Sequence, residues 1–268
     1  MSDSASAAPE VAGRASAVQR RRTELLALVR REGRLDVGPT AARLGVTQET
    51  LRRDLLAMER SGLVRRTYGA AFPVESGRLE AKYEVRKSRN VEEKRRIADA
   101  AAALVGPAQT VYIDDGYLPS LVAQRLTSER PVTVVTSSLP TAMAVAERPG
   151  VEVLLVGGRV RGSAFSTVEH GRDSLLERLR IDVAFMSAGG ISPERGLTTT
   201  DPAVAAVKTA AMAASARRIF IGTHAKFGMT AFVRFADVHE FEALVTGTEV
   251  PAHRTARYAR LGPRVIRA

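Results

Sequence analysis

The chain has 268 residues, with 40 Lys+Arg against 29 Asp+Glu, a formal net charge of +11 and a 45% hydrophobic fraction. That length allows one or two domains with substantial cores, and the strong basic excess points to an anionic partner. With no cysteine, disulfides, thiolate-held metals and thiol nucleophiles are excluded. No apolar run has the length of a membrane span or signal-peptide core, so a cytoplasmic protein is expected.

The first 17 residues are Ser/Ala-rich without a period and read as a disordered tail. Residues 18–72 read as a small helical unit ending in a hairpin. "QRRRTELLALVRREGRL" carries Leu25, Leu26, Leu28 and Val29 at helical spacing and is closed by Gly33. "DVGPTAARLGV" is a second helix with Pro39 in its first turn and Gly45 at its end. Thr47 suits an N-cap for a third helix reaching about Ser61 and stopped by Gly62, while "LVRRTYGAAF" forms two short strands around Tyr68-Gly69. Residues 73–90 are polar and charged, as a linker would be.

From residue 91 to 268 the pattern is an alternation of helices and short β-rich runs. "TVYID", "VTVVTS", "VEVLLVGG", "DVAFMSAGG", "RRIFIG" and "EALVTG" are predicted strands. "EEKRRIADAAAALV", "LPSLVAQRL", "LPTAMAVAE", "GRDSLLERL" and "PAVAAVKTAAMAASA" are predicted helices. This order predicts an α/β domain with a largely parallel sheet. The basic tail reads as a short helix and a last strand, "RVIRA".

Three short helices followed by a hairpin make a winged helix-turn-helix, whose third helix enters the major groove. Leu51, Leu55 and Met58 share the core stripe, leaving Gln48, Glu49, Arg52 and Arg53 largely on the other side. These side chains can pair adenine, cytosine and guanine edges, and Arg65 and Arg66 on the wing can meet the backbone or minor groove. Between Gln19 and Tyr68 there are 12 Arg and 6 acidic residues, a balance that suits duplex DNA. The alternative for any single arginine is a solvated helix face.

The stretch "VTQETLRRDLLAMERSGLVRRTYGAA" resembles the helix-turn-helix signature of the deoxyribose-operon repressor (DeoR) family of bacterial regulators. The usual pattern is V-S-x-x-T-I-R-R-D-L, then L-E-x-x-G, then R-x-H-G-G-A. Thr50, Arg52, Arg53, Asp54 and Leu55 match as they stand, Thr47 replaces a serine, and Tyr68 and Ala70 replace the His and second Gly of the wing. DNA contacts are expected at Thr47, Gln48, Glu49, Thr50, Arg52, Arg53, Arg65, Arg66 and Tyr68.

The resemblance continues through "NVEEKRRIADAAAALV", "VTVVTSSLPTA", "DVAFMSAGGISPERGLTTTD" and "AKFG". It implies a sensor domain related to ribose-5-phosphate isomerase and a phosphosugar effector. Open α/β sheets gather ligands at the carboxyl ends of their strands. Asp114, Gly116, Thr136, Ser137, Gly157, Lys208 and Lys226 are the candidate effector residues, with the lysines offered to an anion. Several positions depart from the family. D-S-G-T-T is here Asp114-Asp115-Gly116-Tyr117-Leu118, a usual glutamate is Val204, and the Asp and Ser of D-x-S-K-F-G are Thr223 and Ala225.

No metal or cofactor is expected: His170, His224, His239 and His253 lack ligand spacing, and His224 reads as structural. "GGRVRGS" lacks the Lys-Ser/Thr ending of a P-loop. Asp114 and Asp115, read as adjacent strand residues, are expected on opposite faces, which disfavours an acid/base pair. The function expected is a sequence-specific transcriptional regulator, a repressor of a sugar or carbohydrate catabolic operon. It would bind double-stranded operator DNA as a homodimer or higher homo-oligomer and respond to a small anionic metabolite such as a sugar phosphate. The alternatives are a constitutive DNA-binding regulator with a degenerate sensor, and a sugar-phosphate isomerase-like enzyme.

Overall fold

The computed structural model describes residues 8–32, 35–60, 63–67, 69–73, 83–126, 131–168 and 174–268. Two compact units divide the chain, Met1–Ser76 and Gly77–Ala268. Among the described residues no helix is long and apolar enough to cross a membrane.

The first unit runs α1 (Ala8–Glu32), β1 (Leu35–Asp36), α2 (Val37–Arg43), α3 (Gln48–Arg60), β2 (Val64–Thr67) and β3 (Ala70–Pro73). Its core joins Leu25 and Val29 of α1 to Leu51, Leu55 and Met58 of α3, with Leu35, Val64 and Ala71 from the strands. The strands form an antiparallel sheet in the order β1-β3-β2. Gly45, at φ +62°, ends the α2 turn in a conformation that side chains with a Cβ resist. Thr47 then caps α3, its Oγ1 accepting from the Thr50 amide at 3.1 Å. The stretch 8–17, expected within a disordered tail, is helical. Its alanines favour helix and Pro9 falls in the first turn, where no backbone donor is needed. The expected stops Gly33 and Gly62 lie outside the described residues.

The second unit opens with α4 (Tyr83–Ser88), inside the stretch read as a linker, and α5 (Val91–Ala102). It continues with β4 (Thr110–Ile113), α6 (Tyr117–Arg125), β5 (Val132–Thr136), α7 (Leu139–Val145) and β6 (Val151–Leu155). A hairpin, β7 (Arg159–Arg161) and β8 (Ser166–Val168), precedes β9 (Ile181–Met186). Then come β10 (Gly190–Ser192), β11 (Gly196–Thr199), α8 (Pro202–Ala214), β12 (Ser215–Ile221), β13 (Val233–Ala236), β14 (Ala243–Thr246), α9 (Ala252–Ala259) and β15 (Arg264–Arg267).

Seven parallel strands make the main sheet, in the order β15-β14-β12-β9-β4-β5-β6. Strand alternation divides its side chains between two cores. Val111, Ile113, Val183 and Phe185 face α5 and α6, while Tyr112, Ala184, Met186 and Phe220 face α8 and α9. Burial on both faces explains the continuous apolar runs. From β4 the chain steps outward to β5 and β6, then returns to place β9 on the other flank of β4. The crevice at the carboxyl ends of β4 and β9 is therefore a topological switch point, where such sheets bind ligands.

The helix expected over "GRDSLLERL" is a 3-10 turn at Leu175–Arg178, with residues 169–173 outside the described set. Leu176 is fully buried while Leu175 is exposed. One anchoring side chain does not supply the apolar stripe that sustains a longer helix.

Candidate functional site

The outward face of α3 carries Gln48, Glu49, Arg52 and Arg53, all exposed, opposite the buried stripe of Leu51, Leu55 and Met58. Arg53 Nε stands 3.4 Å from Glu49 Oε1 and Arg52 donates to Gln48 Oε1 at 3.3 Å. Such exposed i,i+4 contacts are weak and exchange readily for other partners. Thr47 and Thr50 occupy the N-terminal cap, with their hydroxyls 2.9 Å apart. Arg66 lies on β2 and its amide donates to Glu59 Oε1 at 2.8 Å, which ties the wing to α3. Arg65 is on the same strand, its side chain beyond what the structure describes, and Tyr68 lies outside the described residues.

One residue of this unit was overlooked as a structural element. Asp54 is buried and accepts from Arg21 Nε at 2.6 Å and Arg22 Nε at 2.9 Å. Two arginines counted toward a polyanion thus hold α1 against α3. The signal was present, since Asp54 follows Leu51 by three positions and falls on the core stripe.

In the second unit the cluster forms where β4 and β9 end. Asp114 and Asp115 are both buried and both reach the Lys208 ammonium on α8: Asp114 through Oδ2 in a direct ion pair, Asp115 through Oδ1 at 3.3 Å. The expectation that they point to opposite faces fails because β4 stops at Ile113; the alternation of an extended strand does not govern the bend that follows. Asp114 Oδ2 also accepts from the Ser187 amide at 2.7 Å and hydroxyl at 2.9 Å. Arg161, from β7, places Nη1 3.7 Å from Asp115 and Nε 3.5 Å from Asp201, which caps α8 by accepting from the Ala203 amide at 2.8 Å.

The electrostatics follow this arrangement. Burial would raise the Asp115 carboxyl, but Lys208, Arg86 and Arg161 outweigh it and bring the pKa down to about 2. Burial, together with the Asp115 charge, raises Asp114 against the pull of Lys208. Burial works against the Lys208 charge, yet the two carboxylates hold its pKa above the ordinary lysine value.

The other predicted residues take different parts. Gly116 adopts φ +117° at the start of α6, a backbone suited to glycine. Thr136 is occupied inside the sheet, donating to Ile113 O at 2.7 Å and accepting from the Ser138 amide at 3.0 Å. Ser137 is buried beside it, with its carbonyl accepting from the Thr167 amide at 2.8 Å. Gly157 is exposed past the end of β6. Lys226 donates to Gly189 O at 3.4 Å, just beyond β9. His224 has its Nδ1 2.8 Å from Glu93 Oε2, and its amide donates to Glu93 Oε1 at 2.6 Å.

Missed by the sequence reading were Arg161, Arg86 and Lys94. Lys94 is buried and donates to the carbonyls of Arg86 and, at 2.6 Å, Arg89, with Nζ 5.6 Å from the centroid of the Tyr117 ring. Burial lowers its pKa to about 8, helped by Lys226 and Arg86.

A winged helix-turn-helix joined to a parallel α/β domain with a charged crevice at its switch point defines a DNA-binding regulator with a sensor domain. Residues 21–76 match the DeoR-like helix-turn-helix domain and residues 89–248 match the DeoR C terminal sensor domain. The chain belongs to the DeoR family of transcriptional regulators. It is 32% identical to the deoxyribose operon repressor of Escherichia coli K12, over 88% of this chain and 93% of that one. It is 30% identical to the HTH-type transcriptional regulator GlpR of Haloferax volcanii, over 83% and 87%. A putative aga operon transcriptional repressor of Escherichia coli O157:H7 is 26% identical, over 94% and 95%. Among solved structures, ribose 5 phosphate isomerase A from Neisseria gonorrhoeae aligns over 52% of this chain and 54% of its own, at 17% identity and a TM-score of 0.38. That likeness says nothing of activity.

Proposed function

We propose that the protein represses a sugar or carbohydrate catabolic operon by binding its operator as a homodimer or larger homo-oligomer, and that a small anionic metabolite releases it. The observation that carries the DNA-binding half is the exposed polar face of α3, with Gln48, Glu49, Arg52 and Arg53 opposite a wholly buried stripe. Relatives named as operon repressors support the regulatory sense. Gel-shift titrations on operator and random DNA test it. Arg52→Ala or Arg53→Ala is expected to weaken operator binding by about 1–3 kcal/mol if the side chain forks a guanine. A loss shared equally by random DNA would assign it to phosphate instead. Unchanged operator affinity in both variants would sink the assignment.

The anionic effector is supported by the lysines and arginines gathered at the carboxyl ends of β4 and β9. A second reading, constitutive binding with a degenerate sensor, draws on Asp115, which neutralises Lys208 and Arg161 from within the protein. A thermal-shift screen of sugar phosphates and sugar acids separates the two, because a ligand of the folded state raises the melting temperature by mass action. No stabilisation by any of these compounds would favour the constitutive reading.

A further inference from the structure

A second concave site lies on the sensor unit, apart from the charged crevice. The turn joining β10 to β11, the loop after Lys226 and helix α9 enclose a cavity of about 280 Å³. None of Asp114, Asp115, Arg161 or Lys208 lines it. Its floor is fixed. The Tyr258 hydroxyl accepts from the Gly228 amide at 3.1 Å and donates to Ile191 O at 3.1 Å, and its ring packs edge-on to Phe227 at 5.0 Å between centroids. Sites for drug-sized ligands run to about 300–1,000 Å³, so this one suits a smaller molecule.

The polar groups around the cavity are mostly donors. Arg195, Arg254 and Arg257 line it, and Glu194 is the one acid among the lining residues. Arg257 pairs with Glu194 at 3.0 Å, but the two are 58% and 67% exposed, and such a pair opens readily to an outside anion. Arg254 Nη2 donates to Phe227 O at 3.0 Å, which holds the guanidinium without neutralising it. Gly228 leaves room for it there, since a Cβ would stand 2.6 Å from Nη2. The Arg195 guanidinium has no ion-pair or hydrogen-bond partner among the described residues. Ser192 is 5% exposed; its Oγ accepts from the Arg195 amide at 3.0 Å, and its own proton finds no acceptor among the described residues. Three guanidiniums and a buried hydroxyl thus face one carboxylate. A phosphate group supplies the missing acceptors, and its oxygens match the fork of a guanidinium. We infer that this cavity is a second anion site, which takes the phosphate group of a small molecule. The site does not depend on the effector proposed for the crevice. It does share the loop that carries Lys226, because Gly228 is part of its wall.

Calorimetry and hydrogen–deuterium exchange on the full chain test this, with inorganic phosphate and methyl phosphate as probes against a chloride background of equal ionic strength. At least one probe is expected to bind wild type and to slow exchange over residues 192–196 and 252–258. Arg195→Ala and Arg254→Ala should each weaken it by about tenfold or more, the scale of a charge-assisted hydrogen bond. Arg254→Lys should recover part of the loss. Glu194→Gln should tighten binding about two- to fivefold, the scale of one exposed ion pair, by releasing Arg257. A residue that only supports the fold would not produce that gain. Arg260→Ala, an exposed arginine outside the cavity, and Lys226→Ala, in the crevice, should keep the binding. A loss in Arg260→Ala equal to that in Arg195→Ala would show a diffuse charge effect and overturn the inference. So would a loss in Lys226→Ala with Arg195→Ala and Arg254→Ala unaffected, which would put the phosphate in the crevice. Binding of neither probe to wild type also overturns it and leaves the crevice effector to its own screen.

Discussion

The reader helix and the sensor floor use the same kinds of residue under opposite solvation. On α3, Glu49 and Arg53 are 62% and 77% exposed and meet at 3.4 Å. On the sensor floor, Lys208 and Asp114 are 3% and 2% exposed in direct contact. An exposed pair contributes little to the fold, so its members remain available to an outside partner. A buried charge must be compensated inside the protein, so its partners are fixed before any ligand arrives. Substitutions on α3 should therefore alter binding and spare stability, whereas those on the sensor floor should reach stability first.

The sharpest test of that contrast is Lys208→Met. It would leave two buried carboxylates facing each other, and loss of one partner of a buried ionic group costs about 3–5 kcal/mol. Urea denaturation should show the sensor transition moved to much lower denaturant, while Arg52→Ala leaves it in place. A Lys208→Met protein as stable as wild type would break the comparison.

Asp54→Asn probes the one place where the reader behaves like the sensor. Asp54 is buried beneath Arg21 and Arg22, and losing its charge should cost about 1–3 kcal/mol. Operator affinity should fall through unfolding of the reader and recover on cooling. A loss of affinity at full helicity, seen by circular dichroism, would instead make Asp54 a recognition determinant.

The smallest effects are those of pH. Asp115 titrates near 2 when folded, below its ordinary 3.8. The stability it contributes is present above about pH 4 and fades as pH falls toward 2. Asp115→Asn should flatten the stability profile in that window. Lys94 behaves inversely, with a folded pKa of about 8 against an ordinary 10.5. Its charged form is disfavoured in the fold, so stability should rise between pH 8 and 10.5 as the folded form loses its proton first. Lys94→Met should remove that rise; a profile identical to wild type would show that Lys94 does not titrate there.

Much of this was legible in the residues. Leu51, Leu55 and Met58 announce α3 by period, Thr47 announces its start, and the apolar runs from β4 to β15 announce a parallel sheet. Elements too short to carry a period were not legible. β1 has two residues, and β7, β8 and β10 three each; the hairpins β7–β8 and β10–β11 are too short to show an alternation, and β1 is recognisable only through Leu35 and Asp36 pairing with β3. The site followed the same division. Asp114 and Lys208 were named from their place at a strand end and on a helix. Arg161, Arg86 and Lys94 became visible only when folding brought β7, α4 and α5 to the same crevice. A mid-chain arginine beside glycines carries no local mark of burial.

The strand order has a consequence for how the protein is made. Among the described residues, the strand pairings of the reader reach no further along the chain than Leu35 to Ala71. In the sensor, central β4 pairs with β9, Val111 against Val183, so half of its hydrogen bonds wait for chain synthesised much later. Non-local parallel pairings are slow to form, and domains fold as units in order of synthesis. On the ribosome the reader would gain its shape while the main sheet still lacks β9, β12, β14 and β15. For that interval the nascent chain has a DNA-binding surface and no crevice with which to regulate it.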